Sequence, residues 1–449
     1  MFRVLLLVHR YVGIAIGLLV LLWCLSAFVM MYVQFPQLSE REQLAALPVL
    51  DTEHCCKFDV AALSSSPEIM GFVIESLASQ PVLRVRTRDG YSRSFDLVTG
   101  TEIYSIDEDT ARRQAISYFT QAGISNSARL LSIVDRDQWT VAGNYDPLRS
   151  FYLFAANDAQ ASRIYISEIN GIPVQDTTRY ERGWNWVGSV IHWIYPTILR
   201  KHVGTWAQVI IWTTLISLFL VLVGIYLGIR QFRVQRDGGF SPYKGIALWH
   251  HYTSLIFGVL TLTWLLSDLS FMLESLPVVT LPKNTVRIRS APYDGDFAVL
   301  ALGTDNAVSR LHGHSLDANP LDDEDWSRLP ALLAPESDVI EAGWITKDDE
   351  FYFSHHEKVE LPAYRIIVDD AEHTRYYHHR KSAELIRKVD AGARGFRWWF
   401  DALHRGDFAT LSQKRPLWDF IMLPLLIGVT IGAITGVYLG FRRLISWNL

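Results

Sequence analysis

Four histidines in this sequence form two pairs that are related by an internal repeat. His9 begins "HRYVGIAIGLLVLLWCLSAFVMM" and His250 begins "HHYTSLIFGVLTLTWLLSDLSFM"; these stretches are offset by 241 residues (250 − 9) and are identical at nine of 23 positions. At an offset of 212 (404 − 192), "RGWNWVGSVIH" matches "RGFRWWFDALH", which pairs His192 with His404. A histidine within an apolar segment is costly and by default marks function. The repeat therefore predicts two pairs of functional imidazoles.

The repeat also predicts where each pair lies. The two offsets describe a duplicated unit that consists of a membrane helix, a domain outside the membrane and a second membrane helix. Such a duplication relates the two copies by an axis along the membrane normal, so matched residues lie at equal depth. Two imidazoles that face each other across such an axis suit the two axial positions of a haem iron. We predict two b-type haems, an inner one bound by His9 and His250 and an outer one bound by His192 and His404. With both axial positions taken, each haem would carry electrons rather than bind oxygen.

Small residues lie beside the inner histidines. Four and eight residues after the first histidine come Gly13 and Gly17, and the same positions after the second hold Ser254 and Gly258. This spacing places them on one helix face. We expect a macrocycle to lie against that face, although small residues at this spacing also serve helix packing without any cofactor.

Other polar residues are weaker candidates. Arg182 and Arg394 are matched by the second offset and are expected near the outer haem, where each could bind a propionate. His251 projects about 100° away from its neighbour on a helix, and its repeat match is an arginine. His202 matches a lysine and is expected at the membrane interface. Whether either histidine substitutes as a ligand stays open at this stage.

Composition limits the class of protein. The chain of 449 residues is 49% hydrophobic but 20% charged, which predicts a protein with both membrane and water-soluble parts. The net charge of −5 and the lack of a basic patch argue against nucleic acid as a partner. Cys55 and Cys56 are adjacent, and in an oxidising compartment they could form a vicinal disulfide or stay as two free thiols.

Apolar residues are concentrated in four windows that are long enough to cross a bilayer. Short basic segments precede the first window, separate the second from the third and follow the fourth, so both termini are expected in the cytoplasm. The predicted segments are helix 1 within 1–33, a first periplasmic domain with its membrane-proximal segment at 34–204, helix 2 at 205–230, a cytoplasmic loop at 231–245, helix 3 at 246–272, a second periplasmic domain at 273–415 and helix 4 at 416–441.

The two outer regions have mixed α/β patterns. "YSRSFDLVTGTEIYSI" and "SRIYISEINGIPVQD" alternate apolar and polar residues around Thr-Gly and Asn-Gly turns, as β-hairpins do, and "YRIIVDDAEHTRYYHH" indicates another strand, turn and strand. "EDTARRQAISYFTQAG" has helical spacing and a glycine stop. We therefore predict an α-helical membrane protein, a four-helix transmembrane bundle with internal duplication, that carries two periplasmic α/β domains.

Several motifs resemble a known family. "HRYVGIAIG", "IHWIYP", "WHHYTSLIFG" and "LHRGDF" lie beside the four windows, and "GIYLG" and "GVYLG" end the even ones. In these features the sequence is similar to the PepSY-associated transmembrane proteins, which include FoxB-type inner-membrane reductases of ferric siderophores. The resemblance covers most of the chain and implies a dihaem membrane core with PepSY-type periplasmic domains. Ser254 departs from the glycine that the first repeat has at the matched position.

The residues and the resemblance together predict an electron conduit in a bacterial inner membrane. It would reduce a ferric siderophore, or another periplasmic Fe(III) chelate, during iron acquisition. No GxGxxG or P-loop is present and the cytoplasmic segments are short, so the electron donor would be a flavin, a flavoprotein or membrane quinol. One alternative is a haem-free PepSY membrane protein that binds a peptide or a chelate for regulation or transport. A metal-ion transporter is a weaker alternative, because no window has an acidic residue near its middle.

Overall fold

The computed structural model describes residues 2–50, 69–87, 92–235, 239–270, 285–293, 296–303, 308–312, 318–335, 337–354, 359–408, 411 and 414–445. Cys55 and Cys56 lie outside these residues, so the prediction about them stays a prediction. The described helices are α1 (Phe2–Met30), α2 (Glu40–Ala45), α3 (Glu108–Gln121), α4 (Arg179–Val187), α5 (Ser189–His192), α6 (Thr197–Arg200), α7 (Val203–Gln231), α8 (Ile246–Ser270), α9 (Asp323–Leu333), α10 (Ala391–Phe396), α11 (Leu403–Arg405) and α12 (Leu417–Ile445).

The described strands form three antiparallel sheets. They are β1 (Ile69–Leu77), β2 (Gln80–Thr87), β3 (Ser92–Asp96), β4 (Glu102–Ile103), β5 (Ala128–Val134), β6 (Phe151–Ala156), β7 (Arg163–Ser167), β8 (Pro173–Thr177), β9 (Thr285–Tyr293), β10 (Asp296–Gly303), β11 (Val308–His312), β12 (Val339–Ile345), β13 (Ala363–Val368), β14 (Arg375–His379) and β15 (Leu385–Val389). The hairpins β3–β4, β7–β8 and β13–β14, and helix α3, confirm the local sequence predictions.

The predicted four-helix transmembrane bundle is wrong. Among the residues that the structure describes, three helices are long and apolar enough to cross a membrane: α1, α7 and α12. Helix α8 lies over the third window but is not one of them. Its first turns carry the polar run from His250 to Ser254 and lower its hydropathy. Helix α8 packs against α7 and α12, and α1 packs against the same two helices.

The prediction of two separate α/β domains is also corrected. One seven-stranded sheet has the order β11-β10-β9-β1-β2-β3-β4, so it takes strands from both outer regions. The junction is an antiparallel pairing of β1 with β9, in which Ile74 lies opposite Ile288. Two four-stranded sheets, β5-β6-β7-β8 and β12-β13-β14-β15, come from one outer region each. Pairing β1 with β9 satisfies strand edges that would otherwise be exposed.

A buried ion cluster lies at that junction. Glu75 on β1 accepts hydrogen bonds from Arg84 Nε of the neighbouring β2 (2.7 Å) and from Arg287 Nε of β9 (2.8 Å). Burial by itself would raise the pKa of Glu75, but Arg287 and Arg84 lower it to about 2. The carboxylate therefore stays ionised inside the protein and holds strands from both outer regions.

Candidate functional site

The outer histidines lie on short helices at the membrane-proximal ends of the outer regions. His192 ends α5, and His404 is the middle residue of α11, which follows a π-helical turn at Arg397–Ala402. Gly188 precedes α5, where a Cβ atom would lie 2.9 Å from Val29 Cγ1 of α1. The absence of that side chain lets α5 pack directly on α1.

The structure brings the predicted outer pair together. The ring centroids of His192 and His404 are 6.4 Å apart, and their planes make an angle of 81°. The two residues come from chain segments that are 212 positions apart (404 − 192). Their proximity is the arrangement that the sequence repeat predicts.

The inner pair has the same separation. The ring centroids of His9 on α1 and His250 on α8 are also 6.4 Å apart, and their planes make an angle of 34°. Both rings are partly buried between helices. All four sequence-predicted histidines therefore meet in the predicted combinations.

The Nδ1 atom of each outer histidine is held by the adjacent long helix. His192 Nδ1 lies 3.0 Å from Ser26 Oγ and 3.2 Å from the Trp23 carbonyl oxygen. His404 Nδ1 lies 2.7 Å from Ser267 Oγ and 3.3 Å from the carbonyl oxygen of Trp264. The two environments match residue for residue at the offset of 241.

The inner histidines are held by backbone carbonyls. His9 Nδ1 lies 3.3 Å from the Leu220 oxygen, and His250 Nδ1 lies 3.1 Å from the Gly432 oxygen. These carbonyls match at the offset of 212 (432 − 220). A carbonyl only accepts hydrogen bonds, so each Nδ1 carries the proton and Nε2 is the atom through which each ring would bind a metal.

Two matched glycines make room for the inner rings. A Cβ atom on Gly224 would lie 2.8 Å from His9 Cε1, and one on Gly436 would lie 2.9 Å from His250 Cε1. Contacts this short do not occur with a side chain present, so both glycines are needed for the observed ring positions. In the sequence Gly224 and Gly436 belong to two sets of glycines at four-residue spacing near the depth of His9, and the spacing does not single them out within those sets: Gly224 and Gly228, and Gly428, Gly432, Gly436 and Gly440.

The small residues beside the inner histidines pack against neighbouring helices. A Cβ atom on Gly13 would meet Leu220 at 3.7 Å, one on Gly17 would meet Val437 at 3.5 Å, and one on Gly258 would meet Ile225 at 3.0 Å. Ser254 lies close to Gly432. These contacts are those of helix packing. The predicted role of Gly13, Gly17, Ser254 and Gly258 in holding a macrocycle stays a prediction.

The two predicted propionate partners are bound to the outer sheets. Arg182 Nη1 donates to the Thr177 oxygen and Nη2 to the Ala161 oxygen. Arg394 Nη2 donates to the Glu372 oxygen and Nη1 to the His373 oxygen. Both arginines tie the start of a membrane-proximal helix to its sheet.

Two arginines that the sequence reasoning did not select lie near the outer ends of the long helices. The Arg200 guanidinium lies 4.4 Å from the ring centroid of Trp206, and the Arg415 guanidinium lies 4.8 Å from that of Trp418. Nε and Nη1 of Arg200 are buried and have no hydrogen-bond partner within the described protein. Trp206 and Trp418 are themselves related by the offset of 212 (418 − 206), which is a sequence signal that could have pointed to this position.

The remaining histidine candidates have other environments. Both ring nitrogens of His251 are engaged, Nδ1 with Ser241 Oγ at 2.7 Å and Nε2 with the Gly228 oxygen at 2.9 Å. His202 is exposed and occupies the N-cap position of α7, where its side chain makes no capping hydrogen bond. Neither histidine faces a second imidazole as the four paired ones do.

The spacing within each pair would admit one metal between the two imidazoles. Two metal–nitrogen bonds of about 2.0 Å and two imidazole ring radii of about 1.2 Å give a centroid separation of about 6.4 Å. Both observed separations equal this value. Within the described ranges no three His, Cys, Asp or Glu side chains converge. Two imidazoles alone are too few for a bare ion, whereas a haem supplies four nitrogens of its own.

A cleft of about 520 Å³ lies among residues of the first outer region and the segment that follows it. Its lining includes Trp193, the residue after His192, together with the aromatic residues Phe35, Trp139, Tyr145 and Tyr195. Four carboxamide side chains also line it, Gln37, Gln43, Asn144 and Gln175, and the rest of the lining is aliphatic. This volume suits a small organic ligand or chelate.

Comparison with known proteins identifies no relative: no protein-family model and no curated protein matches the chain. The function is therefore argued from the geometry of the histidine pairs.

Proposed function

We propose that this protein is a membrane electron conduit that holds two b-type haems and reduces a ferric chelate on the outer side. The observation that carries the proposal is the pair of equal histidine separations, 6.4 Å at each end of the helices. This separation leaves space for one metal between each pair of imidazoles. Each haem, when bound, would supply a one-electron couple.

The histidines would do three things for this function. His9, His250, His192 and His404 would fill the axial positions and so keep oxygen from the iron. Their Nδ1 contacts with helix carbonyls would hold each ring in the tautomer that binds metal through Nε2. Because one pair lies at each end of the helices, two haems would carry electrons in sequence between the inner and outer surfaces.

The proposed topology follows from the charges of the chain. Three helices that could cross a membrane support an association with the bilayer. We propose the bacterial inner membrane, with the sheets on the periplasmic side, because arginines cluster at the helix ends opposite the sheets. The acceptor would be a ferric siderophore or another Fe(III) chelate that reaches the cleft lined by Trp193, the residue after His192. The donor would be a flavin, a flavoprotein or quinol. The resemblance to FoxB-type reductases supports this proposal.

The cleft also supports a second candidate function. Its aromatic and carboxamide lining could bind a peptide or a chelate without electron transfer. The protein would then be a haem-free binding or regulatory protein, with the histidines paired for structure alone.

The deciding experiment is a reduced-minus-oxidised absorption spectrum of the purified protein, with a haem-to-protein ratio. We expect low-spin b-type bands and about two haems per chain. His9→Ala and His404→Ala should each remove one haem, while His202→Ala, a control at an exposed histidine, should retain both. A haem-free protein from haem-replete cells would overturn the conduit and favour the binding protein.

A further inference from the structure

Two buried serines contact the outer histidines in the same way. Ser26 is 2% exposed and Ser267 is fully buried. Ser26 Oγ donates to the Trp23 carbonyl at 3.0 Å, and Ser267 Oγ donates to the Trp264 carbonyl at 2.7 Å. The serines match at the offset of 241 (267 − 26). A hydroxyl that bonds back to its own helix is common, but here each oxygen also meets an imidazole nitrogen.

The direction of these hydrogen bonds can be assigned. A serine hydroxyl has one hydrogen to donate, and both serines give it to a carbonyl. Toward the imidazole each oxygen therefore accepts, and Nδ1 of His192 and of His404 donates. The tryptophan carbonyls can only accept, so they require the same assignment. Each outer imidazole thus gives its Nδ1 proton to two acceptors.

We infer that Ser26 and Ser267 are positioning residues that set the ring orientation and the reduction potential of the outer haem. This inference rests on the proposed function. A ligating histidine that donates its second nitrogen to strong acceptors becomes a more basic ligand, and a more basic ligand stabilises the oxidised iron. The reduction potential of the outer haem should therefore be lower than it would be if only the Trp23 and Trp264 carbonyls accepted these hydrogen bonds.

The serines also constrain the ring planes. The contacts come from α1 for His192 and from α8 for His404, so each ring is fixed by the long helix on its own side. The planes stand at 81° to each other. At the inner pair His9 Nδ1 contacts the Leu220 carbonyl, while His250 Nδ1 also meets Thr435 Oγ1 at 3.3 Å. A hydroxyl contact at both rings therefore distinguishes the outer pair.

Redox titration of the full-length protein tests the inference. In Ser26→Ala and in Ser267→Ala we expect one of the two haem potentials to become more positive and the other to stay unchanged. The reduced-to-oxidised ratio of the outer haem at fixed applied potential should rise about three- to tenfold, where tenfold corresponds to about 59 mV for a one-electron couple. The outer haem should also change its low-spin resonance spectrum as the rings reorient.

Matched variants separate this role from a structural one. Ser217→Ala is the control, because Ser217 is also fully buried and its hydroxyl donates to a helix carbonyl, that of Thr213. It should leave both potentials unchanged. Ser26→Thr keeps the hydroxyl and should restore the potential that Ser26→Ala loses.

Each outcome decides the question. Two haems with unchanged potentials in both alanine variants would overturn the inference and leave the electron conduit intact. If an alanine variant loses its outer haem, Ser26→Cys replaces it, since a thiol is a weaker acceptor; an unshifted potential there would also overturn the inference. A wild-type protein without haem would overturn both the proposed function and this inference.

Discussion

At the scale of single residues, the inner site depends on glycines as much as on histidines. Gly224 and Gly436 each leave the space that an inner imidazole occupies. Four histidines could be selected from the sequence because histidine is rare in apolar segments. The two glycines could not, since an apolar helix carries many glycines for packing. Their role becomes visible only from the three-dimensional positions of the histidine rings.

We predict that Gly224→Ala removes the inner haem and retains the outer one. The new methyl group would lie 2.8 Å from His9 Cε1, so the ring would have to leave its position. The haem-to-protein ratio should fall from about two to about one. Gly204→Ala on the same helix is the control, since a Cβ atom there meets no other atom within 4 Å. An unchanged ratio in Gly224→Ala would contradict this account of the inner site.

The angles between the ring planes predict two different electron paramagnetic resonance signals. Axial ligation sets the electronic state of haem iron. Perpendicular imidazoles act on different iron orbitals and leave two of them close in energy, which gives a strongly anisotropic low-spin signal. The outer pair at 81° should show that signal, and the inner pair at 34° a less anisotropic one. His9→Ala should leave the strongly anisotropic signal, and His404→Ala should remove it.

A carboxyl group in the first outer region predicts a pH-dependent stability. Burial raises the pKa of Asp176 to about 6, and repulsion from Glu42 and Glu181 contributes to this shift. Because the folded protein holds this proton more tightly, its stabilising contribution is present below about pH 4 and is lost as pH rises through 6. At pH 8, Asp176→Asn should therefore have a free energy of unfolding about 1 kcal/mol higher than wild type, and it should unfold at a higher temperature. Thermal melts at pH 4 should show no such gain.

At the scale of helices and strands, local patterns were sufficient for the elements but not for their long-range partners. The hairpin of β7 and β8 follows from alternation around Asn-Gly, and α3 from its spacing, its Asp107 cap and its glycine stop. The pairing of β1 with β9 joins residues that are more than 200 positions apart, and no local signal specifies which edge a strand will meet. The length of the third apolar window predicts a span, but helix α8 begins with the polar run from His250 to Ser254, which lowers its hydropathy.

The junction between β1 and β9 predicts a large effect of one substitution. Glu75→Gln would leave Arg84 and Arg287 buried without their shared carboxylate. Breaking a buried ion pair by removing one partner typically costs about 3–5 kcal/mol, so the variant should unfold at clearly lower denaturant concentration. Glu102→Gln is the control, since its partner Arg93 is largely exposed and the pair should matter little.

The same carboxylate predicts the response of the wild-type protein to acid. Because the pKa of Glu75 is lowered to about 2, its contribution to stability is complete above about pH 4.5 and is lost as pH falls toward 2. Glu75→Gln should not show this part of the acid transition. A Glu75→Gln protein with the acid profile of wild type would contradict the role of the cluster.

At the scale of the whole molecule, the two histidine pairs predict transport of electrons across a sealed membrane. With dithionite trapped inside proteoliposomes, wild-type protein should reduce ferric nitrilotriacetate outside. His9→Ala should abolish this transfer, because the variant lacks the inner haem. Dithionite added outside should still reduce the outer haem of the variant. Vesicles with His202→Ala should behave as wild type. Equal rates in the His9→Ala vesicles and in wild type would exclude a route through the inner pair.

The seven-stranded sheet has a consequence for how such a chain could arise. In the order β11-β10-β9-β1-β2-β3-β4, the described strands of each outer region run outward from its first strand, so the β1–β9 contact joins equivalent edges and β4 extends only the first half. Equivalent edges of two identical chains would be self-complementary, as in an isologous dimer. A protein with one such repeat would therefore be expected to form homodimers whose assembly depends on concentration. Fusion of the two copies in one polypeptide makes the same association intramolecular and allows each copy to acquire different residues around its half of a shared site.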